Sequence, residues 1–459
     1  MKNLTLYTKN WAGVVLVSFM LFSCEKILET DLPENQIQSE TVFENVQTAN
    51  SVLSGLYAGL FDSSPVSGDQ SGYSLGLYTD DLDFYAISNT SGLLEIANNT
   101  LNDANATTAS FWTAAYQKVY VCNTILEGIE YSQGIGSADR QRIKGEALAI
   151  RSLLFFYLQQ IYGDIPYPVT TNYVINQSIS KTPSAEVMNR LELDLEEAVG
   201  LLQDAYRNAE RIFINKKAAQ LLLAKVYMQQ LKSQQAEIIL KSVVQSSMYQ
   251  FQNDLTKVFL KSGTHIIWQL KPRNNTDAVK EATAYYFANA APLYVAASPS
   301  LVSSFTGGDL RRSQWMAAVT VGGTTWYRIE KYKVRSANTT EYSIVLRLEE
   351  AYLLLAEALA RQNKTAEAIA YINPVRQRSG QALLPASVSQ QVLLDEIVKE
   401  NRKEFFTEMG NRFLTLKRFG LLDTLIQTKP NWKNYHRNWS LPQSELLLNK
   451  NLNPQNQGY

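Results

Sequence analysis

From Ser39 onward the chain alternates between stretches whose apolar residues recur every three or four positions and stretches where that period lapses. Val42, Phe43, Val46, Ala49, Val52, Leu53 and Leu56 share one stripe and predict a first helix opened by Ser39. The stripe is lost between Asp62 and about Thr108, a segment rich in Ser, Gly, Asn and Asp in which Tyr73, Tyr78, Phe84 and Tyr85 stand among Asp80, Asp81 and Asp83. Long irregular segments inside a folded chain are usually functional or disordered, and four aromatics argue against disorder. Helical spacing returns in "FWTAAYQKVYVCNTILEGI", then in Ile143, Ala147, Ile150, Leu154, Tyr157, Leu158 and Ile161, a stripe that Gly163 ends. A further helix, "SAEVMNRLELDLEEAVGLL", is predicted after Pro183.

Two later segments share an internal offset. Leu223-Ala224 precede Ala236 by twelve residues, Leu355-Ala356 precede Ala368 by twelve, and Tyr227 and Leu359 fill the same later position. This matches the helix-turn-helix of a tetratricopeptide repeat, in which small residues let paired helices approach closely. Two copies predict helix-pair repeats without the sustained copy number of a regular solenoid. Between them, from "GTHIIWQLK" to "WYRIEKYKV", the period changes to two, and "AVTVGGTTWYRI" reads as a hairpin around Gly322-Gly323. Helix resumes in "SQQVLLDEIVKENRKEFFTEMGNRFLTLKRFGLL". The pattern as a whole predicts a mainly α fold of tetratricopeptide-like helix pairs, with irregular regions at about 62–108 and 263–342 and a small β-hairpin insertion. The closing stretch, "NYHRNWSLPQSELLLNKNLNPQNQGY", is too rich in large apolar residues for a frayed end, which would bury nothing to offset its ordering, and is expected to dock.

Ahead of this body, Lys2 and Lys9 precede "WAGVVLVSFMLF", an apolar run well short of the ~20 residues that span a bilayer. Residues 1–23 therefore read as an export signal. The following "LFSC" resembles the lipobox of bacterial lipoproteins: Leu21, Ser23 and Cys24 fit, and Phe22 is bulkier than usual. Cys24 is expected to be acylated, and more than one acyl chain, at ~0.8 kcal/mol per buried methylene, holds a protein stably on a membrane. Residues 24–38 are polar and contain a proline, as a tether would. Cys122 is the only other cysteine, so a chain acylated at Cys24 has no disulfide, and Cys122 reads as an inert buried thiol. The 459 residues, 45% of them hydrophobic, suffice for one large domain or two or three smaller ones. Lys plus Arg number 43, as do Asp plus Glu, and no basic tract stands out, which removes the electrostatic footprint of nucleic-acid binding.

No nucleophile elbow, phosphate loop, zinc spacing or calcium-loop pattern is present, and no metal or cofactor is expected. His265 and His436, the only histidines, lie beside apolar or aromatic neighbours and read as core. Asp80, Asp81 and Asp83 leave one enzymatic alternative, an all-helical glycoside hydrolase, because that reaction needs an acid and a base or nucleophile flanking one bond. A repeat scaffold that binds only proteins is a third reading. Sugar binding asks for flat apolar rings with polar groups at their rim. Both irregular regions supply these. The candidates are Tyr73, Tyr78, Asp80, Asp81, Phe84 and Tyr85 in the first, and Tyr285, Tyr286, Arg311, Trp315, Trp326 and Tyr327 in the second. Trp315 and Trp326 are the largest faces, with Tyr78 and Tyr85 expected opposite; some of these rings can equally seal the loops.

Five phrases then stand in order behind the lipobox: "GEALAIRSLLFFYLQQIYGDIP", "LRLEEAYLLLAEALA", "VRQRSG", "ENRKEFFTEMGNRFLTLKRFG" and "LPQSELLLNKNLNPQNQGY". Together they resemble the SusD/RagB family of Bacteroidetes outer-membrane lipoproteins, over essentially the whole mature chain. The resemblance implies a single SusD-like domain over 39–459, anchored at the cell surface. It also implies a non-catalytic protein that sits on a SusC-like TonB-dependent barrel and captures a glycan, or in some members a peptide, for import. In the family the chain end packs back on the helical body, so Trp439, Leu441, Leu446 and Tyr459 are expected to be structural. "FTGGDLRR" resembles a family phrase too, which leaves Asp309 and Arg311 open to a structural role.

Overall fold

The computed structural model describes residues 42–87 and 91–459, so the export signal, Cys24, the tether and Ser39 lie outside the described residues. Phe43–Tyr459 is one compact unit and is mainly helical. Helix α1 (Val46–Asp62) is capped by Asn45, whose side chain accepts from the Gln47 and Thr48 amides. It is followed by α2 (Ser71–Tyr78), the strand β1 (Leu82–Phe84) and two long helices, α3 (Ala106–Tyr131) and α4 (Ser137–Tyr162). The segment 62–108 is thus less irregular than its composition predicts. "SGYSLGLY" has poor helix propensity, but all eight residues of α2 are buried, and packing overrides propensity. From Ala147 to Tyr162 every residue of α4 is buried, as in a helix surrounded by others, and Gly163 ends it at φ 81°.

Helices α5 (Ser184–Leu201), α6 (Lys216–Gln229) and α7 (Ser233–Val244) continue the series, each packed on its predecessor. After the insertion, α9 (Leu348–Arg361) lies on α7, followed by α10 (Thr365–Arg378), α11 (Gln390–Phe405) and α12 (Asn411–Arg418); α8 (Lys280–Ala284) belongs to the insertion. The two repeats read from the offset are the α6–α7 and α9–α10 pairs. Ala224, Ala236, Ala356 and Ala368 are all fully buried between their helices. Their turns match as well: Leu231 (φ 60°) and Asn363 (φ 61°) are left-handed. The next amides, of Lys232 and Lys364, bond back to the Tyr227 and Leu359 carbonyls at 2.8 and 3.0 Å.

The insertion contributes strands to the three two-stranded ribbons found among the described residues. The expected hairpin is β4 (Met316–Val321) with β5 (Thr324–Ile329), joined by Gly322 (φ 59°) and Gly323 (φ 83°), the two positive φ values that a type I′ turn requires. β2 (Ile266–Leu270) pairs antiparallel with β6 (Ser343–Arg347), which runs straight into α9. β3 (Val295–Ala297) reaches across the sequence to pair antiparallel with β1, and so joins the two irregular regions.

Beneath them lies a buried charge cluster. Arg347 meets Glu404 at 2.6 Å and Glu408 at 2.9 Å, Arg378 meets Glu349 at 2.8 Å, and Arg311 meets Asp309 at 2.7 Å and Glu400 at 3.1 Å. The phrase "ENRKEFFTEMGNRFLTLKRFG" supplies the acids Glu400, Glu404 and Glu408 from α11 and the turn after it. The same phrase supplies Arg402 and Arg412. Arg402 Nε lies 3.0 Å from Asp81, Arg402 also bonds the Asp80 carbonyl at 2.6 Å, and Arg412 Nε lies 2.9 Å from Asp80.

The closing stretch is docked. Trp439 and Leu441 are fully buried, the Trp439 amide bonds the Ile161 carbonyl at 2.7 Å, and Asn456 donates to the Tyr162 and Trp439 carbonyls, both at 2.7 Å. Trp439 packs edge-on against Tyr78, Phe111 and Tyr162. Among the described residues no helix is long and apolar enough to cross a membrane.

Candidate functional site

The β1–β3 ribbon sets out the site. Phe84 pairs with Val295, and one residue further the Tyr85 amide bonds the Tyr294 carbonyl at 2.7 Å, so two tyrosines stand side by side at the end of the ribbon. Both are exposed, Tyr85 by 37% and Tyr294 by 61%. Beside them opens a cavity of about 800 Å³ between α2, the start of α3 and the segment from Thr283 to Val295. This size is ordinary for a small-ligand site. Tyr73, Tyr286, Phe287 and Tyr294 provide its rings, while Ala288, Ala290 and Ala291 keep one wall shallow. On the far side of β3 the half-buried Trp326 packs against Phe287, Ala296 and Val319 and braces the ribbon from behind.

The sequence candidates divide by burial. Tyr73 and Tyr286 line the cavity, Tyr85 is exposed at the end of the ribbon with its hydroxyl toward Trp326 and does not line it, and Phe84 is half-buried in the ribbon. Tyr286 carries the Arg335 and Arg328 guanidiniums on its ring, at 3.8 and 4.7 Å from its centre. Tyr327 alternates with Trp326 along β5, so it points to the other face of the hairpin, where its hydroxyl accepts from Arg312 at 2.6 Å. Tyr78, Asp80, Asp81, Tyr285, Arg311 and Trp315 need correction, because all six are buried and already engaged. Tyr78 sits among Phe413, Trp432 and Trp439 and donates to the His436 carbonyl at 2.8 Å. Tyr285 donates to the Thr407 carbonyl at 3.3 Å. Arg311 belongs to the charge cluster. Trp315, 1% exposed, donates to the Leu255 carbonyl at 3.0 Å and packs on Phe259, so it presents no face to a ligand.

The aspartates are likewise unsuited to acid-base work. Burial by itself would raise Asp80, but Arg402 and Arg412 outweigh it and hold the carboxyl at about 2. Burial raises Asp81, opposed by Arg402 and assisted by Asp80. Both carboxylates are spent on ion pairs that fasten β1 to α11 and α12. Burial also lowers His265, whose ring nitrogen pairs with the Val258 carbonyl at 2.9 Å, and lowers His436 to about 4, with Lys433 adding to the effect. Cys122 is buried and its thiol is pushed up to about 12, which makes it unreactive. Among the described residues no three His, Cys, Asp or Glu side chains are grouped to hold a metal ion.

Sequence reasoning missed Tyr294, the most exposed ring of the cavity, and the polar residues Gln70, Ser74 and Ser110 on its walls. One signal was present: Tyr294 follows the alanine- and proline-containing run "ANAAPL" and directly precedes the short apolar strand "VAA", where an exposed aromatic ends a ribbon.

Comparison with known proteins bears on the same architecture. A family profile described as "Starch-binding associating with outer membrane" matches residues 31–228, and one described as "SusD family" matches residues 310–440. Two SusD-like proteins of Formosa agariphila are each 24% identical, over 95% and 96% of this chain and 96% and 99% of their own lengths. The starch-binding protein SusD of Bacteroides thetaiotaomicron is 32% identical over 180 residues, 35% of this chain and 30% of that protein. Of solved structures, a SusD superfamily protein from Bacteroides vulgatus superposes with a TM-score of 0.81 at 19% identity, covering 91% of this chain and 100% of its own. A laminarin-binding SusD-like protein does so at 0.77 and 22% identity, with the same coverage of 91% and 100%. Surface glycan-binding protein A of Bacteroides thetaiotaomicron, solved with laminarihexaose, gives 0.73 at 16% identity over 89% of this chain and 99% of its own. At these identities the structures share a fold, while the profiles at both ends and the full-length relatives carry the descent: the chain belongs to the SusD/RagB family.

Proposed function

We propose that this protein captures a glycan at the cell surface and passes it to a TonB-dependent outer-membrane transporter, without catalysis. The observation that carries this reading is the open cavity of about 800 Å³ whose rings, Tyr73, Tyr286, Phe287 and Tyr294, stand among side chains able to meet hydroxyls. Ring faces take the C–H side of a pyranose, and polar groups between them fix its orientation. The neighbours named for laminarin and laminarihexaose support the same ligand class. The hydrolase alternative needs two carboxylates flanking one bond, and with Asp80 and Asp81 held by arginines only Asp83 is left of the three. Acylated Cys24 would tie the protein to the outer membrane, and a SusC-like barrel would be its partner there.

Titration calorimetry of the mature chain against an oligosaccharide panel, with a peptide panel alongside, tests the reading. A saccharide should bind, and Tyr294→Ala should weaken it by roughly three- to tenfold, the scale of one aromatic contact, with unfolding unchanged. Binding of peptides alone would overturn it. Membrane fractionation tests the anchor: Cys24→Ala should move the folded protein to the soluble fraction, and mild detergent extraction of the parent protein should bring down a barrel.

A further inference from the structure

Resting on the glycan reading above, we infer that the ligand is an uncharged saccharide and that the cavity selects against acidic ones. The lining residues carry one formal charge among them, Asp69, and no Lys, Arg or His among those described. That charge is already balanced. Both Asp69 oxygens accept from Lys280 at 3.1 Å and one accepts from Ser67 at 2.9 Å, while Lys280 also donates to the Asp62 carbonyl at 2.5 Å. The lysine therefore has nothing left to offer an incoming carboxylate or sulfate. Two cations lie on the Tyr286 ring, Arg335 at 3.8 Å and Arg328 at 4.7 Å from its centre; neither lines the cavity, and Arg328 is committed to Glu330 and to the Phe287 carbonyl.

The neutral polar side chains on the walls are in the opposite condition. Gln70, Tyr73, Ser74, Ser110, Tyr286 and Tyr294 line the cavity, and their side chains make no hydrogen bond within the described chain. Tyr73 and Ser74 are also largely buried, so their hydroxyls have only the cavity to address. Hydroxyls and amides both donate and accept, which suits them to sugar hydroxyls of either polarity. An anionic group entering the same space would lose water and meet no compensating cation among the lining residues, a cost that an uncharged pyranose does not carry. Most of the cavity's specificity thus lies in the contrast between spent charges and unspent neutral groups.

The test uses the mature chain and two size-matched sets of oligosaccharides, one neutral and one carrying uronate or sulfate groups. The expected result is a neutral binder at least about tenfold tighter than any acidic oligosaccharide of its length, with an affinity that changes less than about twofold between roughly 0.05 and 0.5 M salt, because no unscreened charge pair contributes. Gln70→Ala and Ser110→Ala should each weaken that binder by roughly three- to tenfold, the range for one lost hydrogen bond. An acidic saccharide that binds more tightly than every neutral one, and loses affinity as salt rises, overturns this inference and leaves the glycan reading standing. Failure of both sets to bind overturns the glycan reading and this inference with it.

Discussion

Single side chains in this protein acquire their roles from burial more than from type. Trp315 and Tyr294 are both large aromatics in the same insertion, yet one is 1% exposed and the other 61%. Trp315→Ala should therefore lower unfolding stability by ~3–5 kcal/mol, as for other buried aromatics, and leave the affinity of the folded fraction unchanged. Chemical denaturation and calorimetry on the same sample separate the two effects. Glu281 in α8 gives a pH-dependent case. One of its oxygens accepts from Ser343, the other has no partner, and burial raises the carboxyl to about 7, with Asp69 and Glu408 adding to it. A raised carboxyl binds its proton more tightly folded than unfolded, so this residue lowers stability as pH climbs from about 4.5 to about 7, and the loss stays constant above that. Glu281→Gln removes the titration. Its melting temperature should match that of the parent near pH 4.5 and exceed it above pH 7, by an amount equivalent to about 3 kcal/mol. Equal pH profiles for the two proteins would show that Glu281 does not titrate in this window. The sequence gives little hint of either assignment, since nothing local to Trp315 or Glu281 records what packs over them.

At the level of elements, the helices were far more legible than the loops. The stripes ending at Gly163 and following Pro183 became α4 and α5, and the shared alanine offset became two helix pairs down to their turns. Local period and caps decide such elements, and both are written in consecutive residues. Pairing of β1 with β3 is written nowhere locally: Leu82 meets Ala297, and only the folded body brings them together. Hence the cavity could be assigned to two regions of sequence but not to its actual walls. The repeat turns carry a stability difference of their own. Leu231 is left-handed and 63% exposed, so its side chain gains little from burial, whereas Asn363 tolerates the same conformation. Leu231→Gly is expected to stabilise by up to ~1 kcal/mol, and Asn363→Gly by less, in urea unfolding. A clear loss at Leu231 would mean that its side chain holds the α6–α7 turn.

For the molecule as a whole, α11 and its following turn act as the piece to which both ligand-side regions are fastened. Arg402 holds Asp80 and Asp81, and with them β1; Glu400 and Glu404 hold Arg311 and Arg347 from the insertion. One of the five phrases that carry the family resemblance is thus a fastening, which the sequence marks as characteristic without saying what it does. Arg402→Met leaves Asp81 buried without its nearest cation, and one-sided removal from a buried pair costs ~3–5 kcal/mol. Because β1 positions β3 and Tyr294, saccharide affinity should fall together with stability, which distinguishes this variant from Trp315→Ala.

The docked closing stretch also fixes when the fold can be completed. Tyr78 donates to the carbonyl of His436, a partner 358 residues further along the chain, and Trp439 fills the space between Tyr78, Phe111 and Tyr162. During synthesis the early helices therefore emerge with an apolar notch that nothing upstream can fill, and contacts of such long sequence separation form late because the whole intervening loop must close first. Until that stretch arrives the chain remains incompletely folded, the condition in which a polypeptide can still be threaded through a narrow channel and is most in need of a chaperone.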